Sequence, residues 1–220
     1  MNVAIVMQKP IHQAKTRLKN WLSLDERIGL VQSMLFDVLS TLASVSCIDV
    51  LGIVTNDPKA IILAGQFDFH IFYEKEVQGM NKAIKFAVDA LPDNIEQLLI
   101  LPADIPLISD FEVNNLLQMV RKAPVTVIPC RKGTGTNGLV LSPPGVINTA
   151  FGVNSKEKHC LMATTAGLNY SIFHSFSLSH DIDTVEDLLL LKTMGEGTKT
   201  REYLERYQIF DKLLTGKVTL

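Results

Sequence analysis

The segment 97–107, QLLILPADIPL, constrains the fold of this chain more than any other, because between Leu98 and Leu107 only Asp104 is polar. A strand with one wet face alternates apolar and polar side chains. An unbroken apolar run instead belongs to a strand covered on both faces, as in the parallel sheets of α/β proteins. Pro102 ends the run and sets Asp104 just past the strand's carboxyl end, the edge of an open α/β sheet where ligands bind. Flanked by Pro102, Ala103, Ile105 and Pro106, this carboxylate has no cationic neighbour in sequence. It needs a cation or hydrogen-bond donors from elsewhere in the chain; a turn or capping role is the plainer alternative.

The rest of the chain repeats the plan. Short β-branched runs alternate with stretches of helical period, which predicts a three-layer α/β/α domain around a mainly parallel mixed sheet. Strands are expected at VAIVM (3–7), IDVLGIV (48–54), FHIFY (69–73), PVTVIPC, TNGLVLSPP and NYSIFHSF. Helices are expected at SLDERIGLVQSMLFDVLSTLASV, PKAIILAGQ, GMNKAIKFAVDAL, DFEVNNLLQMVRK, about 154–166, VEDLLLLKTM and TKTREYLERYQIFDKLLTG. Ser23 with Glu26, and Ser109 with Glu112, have capping-box spacing, and Thr184 can cap the helix that follows it. Without repeats or linkers, one domain is expected over 1–220, with a core to 194 and a helical extension over 195–220. The apolar positions of that extension (Tyr203, Leu204, Tyr207, Ile209, Phe210, Leu213) suit either the chain's own surface or a second copy, so a homodimer stays open.

Bulk properties narrow the partners. With 47% hydrophobic and 20% charged residues, the chain has material for a core and no mark of disorder. A net charge of −2 and a pI near 6.2 speak against a nucleic-acid surface. MNVAIVMQKP is too short for a signal segment, and no run approaches the roughly 20 apolar residues of a membrane span. Cys47, Cys130 and Cys160 are widely spaced and form no CxxC pair, which suggests neither disulfides nor zinc. A cytoplasmic protein is expected.

Three further patterns bear on chemistry. In HDIDT, Asp181 and Asp183 stand two apart, so in extended backbone both side chains leave on one face and can share a metal; alternatively, Asp183 favours a helix N-terminus. The loop QKPIHQAKTRLK brings Lys9, Lys15, Arg17 and Lys19 to the end of the first strand, as a triphosphate cradle or as a solvated face. It is not a P-loop. GTGTN (133–137) and FGVNS (151–155) offer backbone N–H groups and hydroxyls to an anion, or are a hairpin turn and a helix start. The five histidines have no metal-ligand spacing and read as structural, and no cysteine has a triad partner.

In order, VMQKPIHQAKTRL, GMNKA, LPADIPL, GTGTNGLVL, FGVNS and DIDTVEDL resemble the signature of the 2-phospho-L-lactate guanylyltransferase family, over about residues 3–190. The resemblance implies a GT-A-like nucleotidyltransferase fold and a role in biosynthesis of the deazaflavin coenzyme F-420. It implies Asp104, Asp181 and Asp183 as ligands of catalytic Mg²⁺, with Lys9, Lys15 and Arg17 on the phosphates of GTP and Gly79 and Asn81 near its nucleoside. Asp104, Lys15 and Arg17 would carry the catalysis. Thr136, Gly152 and Ser155 would receive a small phosphorylated three-carbon acid. The chain departs from the family's K-S-R-L at Lys15-Thr16-Arg17-Leu18 and from G-L-N at Gly79-Met80-Asn81. Phosphoenolpyruvate or 3-phosphoglycerate as acceptor, a GT-A glycosyltransferase, and a non-catalytic nucleotide-binding domain are the rival expectations.

Overall fold

A computed structural model describes residues 1–74, 79–120 and 123–215. Among the described residues seven strands form one sheet. They are Asn2–Met7 (β1), Val50–Thr55 (β2), His70–Tyr73 (β3), Gln97–Pro102 (β4), Val125–Pro129 (β5), Thr136–Leu141 (β6) and Tyr170–Ile172 (β7), in the spatial order β3-β2-β1-β4-β6-β5-β7. Every neighbouring pair is parallel except those made by β6, which runs antiparallel to β4 and β5.

The apolar run becomes the central strand it predicted, because each of its faces meets a separate layer. Leu98 and Ile100 join Val3 and Ile5 beneath α3 (Met80–Asp89) and α5 (Ser155–Thr165). Leu99 and Leu101 join Ala4 and Val6 beneath α1 (Leu24–Ser44), α2 (Pro58–Ala64), α4 (Asp110–Met119), α6 (Phe176–Ser179) and α7 (Val185–Met194). Each fully buried aliphatic side chain contributes about 1.5–3 kcal/mol, so this strand is where a polar substitution would cost most.

Strand order also locates a site. From β1 the chain builds β2 and β3 on one side, then returns to β1's other side as β4, so winding reverses between β1 and β4. A crevice opens above the carboxyl ends at such a switch point. Met7 pairs with Pro102 across it, so the loop after β1 and Asp104 begin side by side.

The local signals held unequally. The boxes at Ser23–Glu26 and Thr184–Asp187 form. Ser109 caps nothing with its side chain, because the Glu112 carboxylate that would complete its box accepts from Ser175 and Ser177 instead. The expected strand NYSIFHSF stops at Ile172, since the Ser175 hydroxyl accepts from Leu178 N and starts the short helix α6. The terminal helix breaks in two, α8 (Lys199–Arg206) and α9 (Ile209–Thr215), at Gln208 with φ 53°. Of the expected helices, residues 121–122 and the last part of the tail, 216–220, lie outside the described residues.

The tail packs onto its own chain. Leu204, Ile209, Phe210 and Leu213 are buried in the layer containing α1, while Tyr207 stays exposed. Asp37, in the middle of α1, holds α8 in place: its carboxylate accepts from Lys199 N (2.7 Å), Thr200 N (2.9 Å) and Thr200 Oγ1 (2.5 Å). Asp37→Ala would leave these donors without their acceptor, so urea unfolding is expected to show a loss of about 2–4 kcal/mol; a loss within experimental error would mean α8 docks without them. Burial pushes this carboxyl above its usual range, against the pull of the Thr200 and Lys199 hydrogen bonds. The folded state therefore holds the proton more tightly than the unfolded chain, and this group favours folding increasingly as pH falls into the carboxylate range.

Candidate active site

Three segments from three strand ends meet in the crevice. The loop after β1 carries two 3₁₀ turns, Ile11–Gln13 and Thr16–Leu18, pinned by the buried Ile11 and Leu18 and by a bond from Ile11 N to the Asp57 carboxylate (2.7 Å). Between the turns Lys15 takes a left-handed conformation, φ 53° and ψ 38°, which is unfavourable for a residue with a Cβ. It aims the side chain inward. Lys15 Nζ lies 2.5 Å from Asp104 Oδ2 and 3.0 Å from Asp183 Oδ1, and Arg17 Nη1 lies 2.6 Å from Asp183 Oδ2.

The D-x-D segment is anchored by its middle residue. Ile182 is buried and donates its N–H to Asp104 O (3.0 Å). Asp181 and Asp183 on either side are both partly exposed. Asp181 accepts from Asn137 Nδ2 (3.1 Å), at the start of β6. Asp187, one turn into α7, accepts from Asp183 N (3.0 Å) and Thr184 N (2.8 Å), and its other oxygen lies 2.8 Å from Arg131 Nη2.

Charge balance follows from burial. The Lys15 side chain is only 5% exposed. Burial alone would lower its pKa, but Asp104 and Asp183 outweigh it and raise the pKa above the ordinary lysine value. Burial likewise pushes Asp183 up, yet the Lys15 charge and hydrogen bond, with Arg17 beyond, hold its carboxyl below the usual range. The Arg17 side chain is 68% exposed, so its ion pair adds little stability and leaves it free for a ligand.

Space is available beside these groups. A cavity of about 260 Å³ is lined by Lys9, Gln13, Lys15, Arg17, Asp104 and Asp183, with Gln8 at its wall. A second, about 170 Å³, is lined by Asp104, Thr136, Asn137, Phe151 and Asp181. A third, about 80 Å³, lies against Lys9, Gly79 and Glu74. Met7 and Met80 line all three, and Asp104 stands between the first two.

The far side is a hydrogen-bonded corner. Ser155, at the start of α5, is buried, and its hydroxyl accepts from Thr136 N (2.8 Å). Ser155 N donates to Gly152 O, and Gly152 has φ 127°, open to glycine alone at little cost. The amide of Asn81 is spent on the neighbouring backbone, accepting from Phe151 N (2.7 Å) and donating to Phe151 O (3.0 Å). The two glycine-containing motifs thus converge on one wall of the second cavity.

The family model described as "Guanylyl transferase CofC like" matches residues 1–215. The chain belongs to this family. It is 36% identical over 213 residues to the 2-phospho-L-lactate guanylyltransferase of Methanothermobacter thermautotrophicus, covering 97% of this chain and 94% of that one. With the enzyme of the same name from Methanocaldococcus jannaschii it shares 33% over 201 residues, 91% and 87% of the two chains. Among solved structures it matches one from Desulfovibrio desulfuricans G20 provisionally named a nucleotide-diphospho-sugar transferase, with TM-score 0.78, 17% identity and 97% coverage of both chains. It also matches 4-diphosphocytidyl-2C-methyl-D-erythritol synthase from Anaerococcus prevotii, with TM-score 0.64, 13% identity and 94% and 96% coverage. These likenesses establish the α/β nucleotidyltransferase fold, and the family makes this chain a nucleotidyltransferase.

Of the residues singled out in the guanylyltransferase signature, the structure brings Lys9, Lys15, Arg17, Asp104 and Asp183 to one cavity and Asp104, Asp181 and Thr136 to the next. Gly79 lines the third. Lys19 is exposed and lines none of them. Sequence reasoning reached Asn137 and Phe151 only as parts of GTGTN and FGVNS and missed Gln8 and Gln13, which carry no distinctive local signal. Two others had one: Asp187 completes the T-x-x-D box begun by Thr184, and His159 falls one helical turn after Ser155. No helix among the described residues is long and apolar enough to cross a membrane.

Proposed function

We propose that this chain transfers GMP from GTP to 2-phospho-L-lactate, forming lactyl-2-diphospho-5′-guanosine and pyrophosphate, in the biosynthesis of coenzyme F-420. The observation that carries this reading is the convergence at the switch point of two cations from the β1 loop with Asp104 and Asp183, beside a cavity walled by the two glycine-containing motifs. The names of the relatives supply the guanine and the acid.

In this reading the triphosphate lies in the 260 Å³ cavity along Lys9, Lys15 and Arg17, and the acid in the 170 Å³ cavity against Thr136, whose backbone N–H is held from behind by the buried Ser155 hydroxyl. A phosphate oxygen of the acid attacks the α-phosphorus of GTP, a new P–O bond forms, and the bond from the α-phosphorus to the bridging oxygen breaks as pyrophosphate departs. No protein nucleophile is required. Positioning of two anions and neutralisation of charge carry the rate.

Among the described residues no three His, Cys, Asp or Glu side chains form a ready metal cage. The donor set nevertheless fits Mg²⁺, which takes one or two carboxylates and fills its remaining positions with phosphate oxygens and water. Asp104 would hold it together with Asp181 or Asp183. When bound, the ion would offset charge on the phosphate oxygens. Lys15 would then exchange one carboxylate partner for a phosphate, and Arg17 would reach the phosphates from its exposed position.

The test is a pyrophosphate-release assay with Mg²⁺ over the four ribonucleoside triphosphates and three acids, 2-phospho-L-lactate, phosphoenolpyruvate and 3-phosphoglycerate. The largest kcat/KM is expected for GTP with 2-phospho-L-lactate. A larger value for either other acid reassigns the acceptor, and release of a nucleoside diphosphate from a nucleotide sugar would instead indicate a glycosyltransferase.

A further inference from the structure

His159 sits one helical turn after Ser155, so both side chains reach the start of β6. Its imidazole is fully buried and both ring nitrogens are engaged. Nε2 accepts the N–H of Ala150 at 2.9 Å, and Nδ1 lies 3.0 Å from Thr136 Oγ1. A backbone N–H can only donate, so Nε2 is bare and the neutral ring carries its proton on Nδ1. Burial pushes the pKa down to about 4, which keeps the ring neutral near pH 7. The Nδ1–H then donates to Thr136 Oγ1, and the hydroxyl's own hydrogen is left to point away from the ring. Thr136 lines the 170 Å³ cavity, whose other polar walls include the carboxylates of Asp104 and Asp181.

We propose that His159 is a positioning residue that makes Thr136 a hydrogen-bond donor toward this cavity, and thereby a specificity-determining contact for an anionic oxygen of the acceptor acid. A threonine hydroxyl is by itself ambivalent: it can accept as readily as donate. Beside two carboxylates, an anionic substrate needs a donor that is held in place, and the ring removes the other option. The same imidazole bonds to Ala150 N and packs edge-on against Phe151, with ring centroids 5.1 Å apart. It therefore ties the loop that carries Gly152 to the same corner. The identity of the ligand rests on the proposed function; the orientation of Thr136 does not.

Two measurements separate these. In ligand-free protein labelled with ¹⁵N-histidine, NMR is expected to show His159 protonated on Nδ1 and bare on Nε2; an Nε2-protonated ring overturns the inference whatever the substrate. In the pyrophosphate-release assay, His159→Gln keeps an acceptor for Ala150 N but loses the donor to Thr136. It is expected to raise KM for the acid roughly tenfold, the worth of a hydrogen bond to a charged group, while KM for GTP and kcat change less than about twofold. His159→Asn, whose amide nitrogen lies near the Nδ1 position, is expected to recover most of that loss, which a merely structural histidine would not predict. Thr136→Val should cost as much as His159→Gln, and the double variant no more than either, because both remove one contact. Equal rises in both KM values, or additive losses, overturn the inference. If the wild-type chain turns over none of the three acids, the assigned function falls, while an Nδ1-protonated ring in the same sample leaves the orientation of Thr136 standing.

Discussion

Asp104→Asn is expected to lower Mg²⁺-dependent pyrophosphate release by at least roughly 10²–10³-fold, the cost of removing one well-placed electrostatic group from a reacting centre. The substitution keeps the shape of the side chain and one acceptor oxygen but deletes the charge of the residue that stands between the 260 and 170 Å³ cavities. Lys15 retains Asp183 at 3.0 Å as a partner, so thermal unfolding should change little and the lost rate would report on chemistry. Turnover within a few-fold of wild type would remove Asp104 from the metal site. The backbone of Asp104 has a separate duty that the variant spares: its carbonyl still accepts from Ile182 N and holds the D-x-D segment in place.

Lys15→Met tests the opposite charge. Methionine fills much of the space of the lysine stem, but it leaves Asp104 and Asp183 facing one another without the cation now between them. Activity is expected to fall about 10²–10³-fold through loss of phosphate neutralisation. Unlike Asp104→Asn, this variant should also melt earlier, by an amount equivalent to about 1–3 kcal/mol, because it strips Asp104 of its ion-pair partner and leaves Asp183 with the exposed Arg17 alone. Added Mg²⁺ should restore more stability to Lys15→Met than to the wild type, since in the proposed site the ion would bind the two carboxylates that the variant leaves without Lys15. Equal effects of Mg²⁺ on both proteins would mean that these carboxylates do not share a metal. Lys15→Arg should not rescue, because a planar fork cannot replace a compact ammonium held between two single oxygens.

Much of the site was legible wherever the physics was local. The position of Asp104 followed from the apolar run before it. The alternation of Asp181 and Asp183 with a buried Ile182 followed from the period of extended backbone, although the two carboxylates line different cavities. Thr184 caps the helix that follows it through its hydroxyl, as its position before VEDLLLLKTM predicted. Where a local signal competed with groups far along the chain for one carboxylate, the sequence could not arbitrate. Ser109 and Ser175 both stood to bond Glu112, and packing of α6 against α4 gave the carboxylate to Ser175 and Ser177.

The sequence by itself determined the sheet, the central strand and the strand end on which ligands gather, because hydrophobic period and the proline stop act between near neighbours. Only the tertiary structure decided what Asp104 meets. Lys15 lies 89 residues before it and Asp183 is 168 residues beyond Lys15, and their meeting depends on strand order reversing between β1 and β4 and on one lysine held at positive φ. The same holds for His159, which read as a structural histidine until α5 brought it against Thr136, 23 residues earlier. Pairings of this kind have no sequence period, since they arise when separate strands and helices are packed into one core, and that packing is set by the whole chain at once.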